Sequence, residues 1–91
     1  MRYFIYALGD PRTGELYYVG CTKDPARRMR EHLAWERHAG NRFTPVFTVL
    51  KSFSKKILAS RSEQETISEL KNAGVNLRNL GGALYEVHPY A

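Results

Sequence analysis

The chain has 91 residues, 43% hydrophobic and 25% charged, the balance of one globular domain with a modest core rather than a disordered or fibrous chain, so a single domain over residues 1–91 is expected. Its apolar runs fall far short of the roughly 20 residues that cross a bilayer, its first residues lack the pattern of an export signal, and the lone Cys21 closes no internal disulfide; the expected setting is intracellular and cytoplasmic, with no membrane partner. The formal charge of +5, from 14 Lys plus Arg against 9 Asp plus Glu, favours polyanionic partners such as nucleic acid.

Residues 2–8 are rich in aromatic and β-branched side chains and predict a strand. The segment GDPRTGE follows, with Asp-Pro and Thr-Gly as turn dipeptides, and a second strand is expected over about 15–20. The two make a β-hairpin. With Asp10 to Gly14 as the loop, the expected register sets Leu8 opposite Leu16 and Tyr6 opposite Tyr18, both phenols on one face.

Asp24-Pro25 predicts a helix start, with Asp as capping acceptor and Pro where its missing N–H costs nothing. That helix is expected to run to about Gly40 on a narrow stripe of Ala26, Met29 and Leu33, with Arg28 and His32 together on the adjacent face. A third strand follows at about 44–50, then a second helix over about 55–73, capped by Ser52 or Ser54 and stopped by Gly74. The expected order is β-β-α-β-α.

Two features of this pattern bear on chemistry. Lys23, Arg27, Arg28, Arg30, Arg37 and Arg42 cluster after the second strand, and Lys51, Lys55, Lys56 and Arg61 form a second basic stretch. In the second helix, Glu63 interrupts the apolar series Ala59, Ile67, Leu70, Gly74. A carboxylate against apolar surface needs a partner: either it reaches Arg61 or a lysine at the stripe's margin, or it holds a cation. His38 and His88 fit no pattern, Cys21 reads as a small buried or edge residue, no His or Cys spacing signals zinc, and no Gly-rich phosphate loop is present.

Together these pieces resemble the GIY-YIG nucleases. Strand one carries FIY at Phe4 to Tyr6 and strand two YVG at Tyr18 to Gly20. Thr22 lies two residues after that glycine, Arg28 ten after the tyrosine and His32 four later; Ala59, Glu63 and Ile67 resemble the family's AxxxExxWI segment, and Asn79 its closing asparagine. Phe4 replaces the usual first glycine and Thr66 a frequent tryptophan.

The resemblance covers nearly the whole chain and implies an α+β domain, a three-stranded antiparallel sheet flanked by helices, acting as a DNA endonuclease dependent on magnesium or manganese. It implies Glu63 as the metal anchor, Tyr6 and Tyr18 as base or water-positioning groups, Arg28 on the phosphate, His32 as proton relay or hydrogen-bond partner, and Asn79 as a positioning side chain. A phenol with pKa about 10 needs nearby cations to act as a base near neutral pH, and Arg28 supplies one. Lys23, Arg27 and Arg30 are the expected nucleic-acid contacts. The rival expectation is a catalytically idle nucleic-acid-binding or protein-interaction module of the same fold. Because one site cuts one strand, a homodimer or an additional DNA-recognition domain is a further possible partner.

Overall fold

The computed structural model describes residues 1–41 and 43–78. The hairpin pairs β1 (Tyr3–Gly9) with β2 (Leu16–Thr22), then come helix α1 (Pro25–His38), strand β3 (Val46–Phe53) and helix α2 (Lys56–Asn72). The sheet order is β2-β1-β3 and both pairings are antiparallel. The α+β class and the β-β-α-β-α order are as the sequence predicts.

The hairpin loop is shaped by Asp10. Its carbonyl accepts from the Gly14 N–H at 2.7 Å, its carboxylate accepts from the Arg12 N–H at 2.8 Å, and Gly14 takes φ +78°, a value favouring glycine. The Arg12 side chain also closes on that carboxylate, and its hydrogen bond holds the Asp10 carboxyl below the usual range.

The expected register is corrected. Tyr6 faces Gly20 rather than Tyr18, and Tyr18 faces Leu8: the loop takes in Glu15 as well, so that Gly9 pairs with Leu16, and a bulge between Leu8 and Gly9 then leaves Tyr17 as an extra residue. The bulge lets neighbouring Tyr17 and Tyr18 both be buried in one aromatic cluster, which simple alternation forbids. The displacement is two residues, so the two phenols keep the same face.

Alternation along β1 sends Ile5 and Ala7 to one side of the sheet and Tyr6 and Leu8 to the other. The first side is apolar: Ile5, Ala7 and Val19 pack with Ala59 of α2 and with Leu77, and Ile67 and Leu70 close over them. The second side is aromatic, with Tyr6, Leu8, Tyr17, Tyr18 and Phe43 buried and Phe47 against them. Helix α1 meets this second side, because its His32 bonds Tyr6 there.

The expected apolar stripe of α1 is also corrected. Ala26 is exposed and Met29 and Leu33 are half-buried, while the two buried side chains are His32 and Glu36. Arg28, His32 and Glu36 are spaced by four and share one face. That face meets an aromatic surface offering a hydroxyl, so polar side chains fit it better than the aliphatic stripe.

Thr22 Oγ accepts from the Asp24 N–H at 3.1 Å, and the Asp24 carboxylate accepts from the Arg27 N–H at 3.1 Å, so the turn and N-cap fix where α1 begins. Gly40 at φ +87° and Gly74 at φ +88° end the two helices, each with the next residue's N–H returning to a carbonyl five residues back: Asn41 to Glu36 and Val75 to Leu70. The expected serine cap of α2 is replaced by Lys55, which makes no side-chain cap bond. Strand β3 runs on through Ser52, whose hydroxyl accepts from Arg2 instead.

Asp24→Ala removes the capping acceptor from α1 and is expected to lower unfolding stability by about 1 kcal/mol. Urea denaturation checks this; an unchanged midpoint would contradict the cap.

Candidate active site

Tyr6 and His32 form the centre of the polar face. The Tyr6 hydroxyl and His32 Nε2 lie 2.6 Å apart, a hydrogen bond between groups only 1% and 3% exposed whose proton either can carry. Phe47 stacks on the Tyr6 ring at 4.5 Å between centroids, fixing the phenol against the sheet, and the His32 ring stands edge-on to it. Tyr18 completes the group, its ring 6.0 Å from that of Tyr6 and 5.1 Å from that of His32.

Gly20 makes this arrangement possible. A Cβ at that position would lie 2.5 Å from the Tyr6 hydroxyl and 2.8 Å from Tyr18 Cε2, closer than side-chain atoms pack. The glycine of YVG is therefore the floor on which the phenol rests, a role that the corrected register explains because Gly20 stands directly opposite Tyr6.

Arg28 lies one turn before His32 on the same face of α1. Its Nε is 3.3 Å from the Glu31 carboxylate, which also stands 4.0 Å from Arg27. Arg28 further acts on Glu63 of α2: burial pushes the Glu63 carboxyl up from its ordinary value, and the positive charge of Arg28 partly opposes that. The Cys21 thiol near the end of β2 feels both charges: burial and Glu63 push it up, and Lys56 and Arg28 partly oppose this.

Glu63 sits on the α2 side of the sheet, one turn from the buried Ala59, whereas Tyr6, Tyr18 and His32 sit on the α1 side. Among the described residues no ion pair closes on its carboxylate, neither with Arg61 nor with a lysine. A half-buried carboxylate with its charge opposed by desolvation suits a hard divalent cation, which prefers oxygen ligands and keeps several waters. Glu63 could hold one such divalent ion. Among the described residues no group of three or more His, Cys, Asp or Glu gathers for a fuller ligand cage.

Of the expected nucleic-acid contacts, Lys23 and Arg27 are exposed at the start of α1. Arg30 is exposed too, but two positions beyond Arg28 on a helix of 3.6 residues per turn it projects to the face away from His32. Asn79, like Arg42, lies outside the described residues. No helix among the described residues is long and apolar enough to cross a membrane.

One buried residue is absent from the sequence-based expectations. Glu36, 2% exposed, accepts from Asn41 Nδ2 at 2.6 Å and from Arg78 Nη1 at 2.7 Å. The available signal was its spacing of four from His32, which places a second ionisable group on the same face.

The site is thus a buried phenol–imidazole pair on a helix-covered antiparallel sheet, with an arginine one turn away on α1 and a half-buried carboxylate on α2. The family model of the GIY-YIG catalytic domain matches residues 2–79. The chain belongs to the GIY-YIG family of nucleases. Neither the curated proteins nor the solved structures give a match.

Gly20→Ala forces its methyl group against the Tyr6 hydroxyl and is expected to cost roughly 1–3 kcal/mol through overpacking. Denaturant unfolding against wild type reads the loss; an unaltered stability would mean that Tyr6 does not rest on this glycine.

Proposed function

We propose that the chain is a divalent-metal-dependent DNA endonuclease hydrolysing phosphodiester bonds. The observation that carries this reading is the 2.6 Å hydrogen bond between buried Tyr6 and His32. An aliphatic pair would fill the same space without desolvating two polar groups, so the pair is better explained by proton chemistry than by packing.

In this reading His32 takes or returns the proton of the Tyr6 hydroxyl, which lets that phenol orient or deprotonate the attacking water near neutral pH. Tyr18, against both rings, helps to position the same water. Arg28 holds the scissile phosphate through its planar fork and offsets its charge. Arg28 is suited to this place because it shares a helix face with His32 and acts electrostatically on Glu63. Glu63 is the metal anchor. What magnesium or manganese supplies when bound there is positive charge toward the phosphate and leaving oxygens. Asn79 is assigned a positioning role, and Lys23 and Arg27 provide charge toward the DNA backbone, while Arg30, on the far face of α1, is left out of that contact. One such site cuts one strand, so a double-strand break requires a second copy or two successive nicks.

Nicking of supercoiled plasmid in magnesium or manganese, abolished by EDTA and by Glu63→Ala, is the expected outcome of the decisive assay. Salt-sensitive DNA binding without cleavage in any metal would replace this reading with an idle binding module of the same fold. Tyr6→Phe removes one hydroxyl and is expected to slow nicking by about 10²-fold or more; a rate equal to that of Tyr3→Phe would take Tyr6 out of the chemistry. Arg28→Lys keeps the charge but loses the fork, and an undiminished kcat would rule out a bidentate phosphate grip.

A further inference from the structure

Helix α1 carries the Arg28 and His32 of the proposed site, yet it buries no aliphatic side chain completely. Its two buried residues are His32 and Glu36, both polar and one turn apart. His32 is tied to β1 through Tyr6. Glu36 is tied to two other parts of the chain. Its carboxylate accepts from Asn41 in the segment leading to β3 and from Arg78 beyond α2. The Asn41 backbone N–H also donates to the Glu36 carbonyl at 2.8 Å, so both ends of this residue engage Asn41.

Arg78 is anchored in turn. Its backbone N–H donates to the Tyr17 carbonyl of β2 at 2.7 Å, and its guanidinium lies 4.3 Å from the centre of the Tyr17 ring. Tyr17 meets Phe43 edge-on at 6.0 Å, and Phe43 carries the guanidinium of Arg12 of the hairpin loop over its ring at 4.6 Å. A guanidinium half exposed to water, at 49%, is thus directed at a carboxylate that is 2% exposed. The bulge that frees Tyr17 from the regular ladder creates this seat.

We infer that Glu36 is a positioning residue: through Arg78 and Asn41 it fixes the C-terminal half of α1 on β2 and thereby holds His32 in register with Tyr6. The inference rests on the nuclease reading for its kinetic consequence and on the geometry alone for its structural one. A side chain misplaced by about 1 Å from its reacting partner can cost on the order of 10²-fold in rate. Because Glu36 is two helical turns from Arg28 and makes its bonds away from the proposed phosphate site, its loss lowers kcat and leaves KM for DNA nearly unchanged.

The test uses the full chain and the substitutions Glu36→Gln and Arg78→Gln, with Glu65→Gln as an exposed control on α2. The first readout, the nitrogen resonance of the His32 imidazole, needs no catalysis and is calibrated with Tyr6→Phe. The expected result is that Glu36→Gln moves the His32 signal toward its position in Tyr6→Phe and lowers kcat for plasmid nicking by about tenfold or more, with KM within about twofold and Glu65→Gln unchanged in both. A folded Glu36→Gln protein with the wild-type His32 signal and kcat would overturn the inference. If Glu36→Gln does not fold, Arg78→Gln decides, since it leaves the Glu36 carboxylate with Asn41 and a neutral donor; a wild-type His32 signal there overturns it equally. Absence of nicking by the wild-type protein would refute the nuclease reading and leave the resonance arm to judge the positioning.

Discussion

The hydrogen bond between Tyr6 and His32 is the constraint on which the arrangement of this domain depends. It joins the first strand to the first helix across a surface where both partners are buried, and it requires Gly20 below, since any side chain there would occupy the space of the phenol. Gly20 stands opposite Tyr6 through a loop that extends to Glu15 together with the bulge at Tyr17. The bulge in turn delivers Tyr17 to Phe43 and Arg78. The polar contact, the glycine beneath it, the strand irregularity and the seat of an arginine far along the chain thus form one connected arrangement.

The two helices are attached to the sheet by different physics. Helix α2 lies on an apolar surface where Ala59, Ile67 and Leu70 meet Ile5, Ala7 and Val19, a contact set by the removal of hydrocarbon from water and tolerant of small shifts in angle. Helix α1 is attached through His32 and Glu36, whose contacts are directional and lose their value when geometry drifts. Buried polar contacts of this type contribute little net stability compared with aliphatic packing, but they define one arrangement and penalise others. A helix that must present a histidine to a phenol at hydrogen-bonding distance is better served by the second kind of attachment.

What could be read from the sequence was local. The Asp10 turn, the Asp24-Pro25 helix start and the stops at Gly40 and Gly74 depend on a few neighbouring residues, and each stands where its chemistry places it. Glu63 was legible as an interruption of an apolar series, and its half-buried carboxyl under the influence of Arg28 matches that reading. The register was not legible, because the bulge at Tyr17 follows from the joint burial of two adjacent tyrosines in a tertiary cluster. Tyr6 and Tyr18 still came together because an even displacement preserves the face. The buried face of α1 is not its most hydrophobic stripe, because the surface that it meets is aromatic and polar. The role of Glu36 is not legible in the sequence, since Arg78 stands 42 positions away and only the fold brings it near.

On the proposed reading, the division between the two faces bears on where a substrate would be shared. Tyr6, Tyr18 and His32 belong to the α1 side of the sheet and Glu63 to the α2 side. The sheet itself separates them, so groups on the two sides can act on one phosphate only around an edge. Strand β2 is the edge strand next to β1, and its end at Cys21 is where the charges of Arg28 and Glu63 are both felt. Arg28 is therefore the residue that borders both halves, sharing a helix face with His32 and acting on Glu63 across the strand end. In that reading a polyanion along this rim meets Arg28, with the exposed Lys23 and Arg27 beside it, and its phosphate lies between the phenol–imidazole pair and the carboxylate. On the proposed reading, the role of the fold is to hold a proton-handling pair and a cation anchor on separate elements, and to let the phosphate at the edge of β2 complete the connection between them.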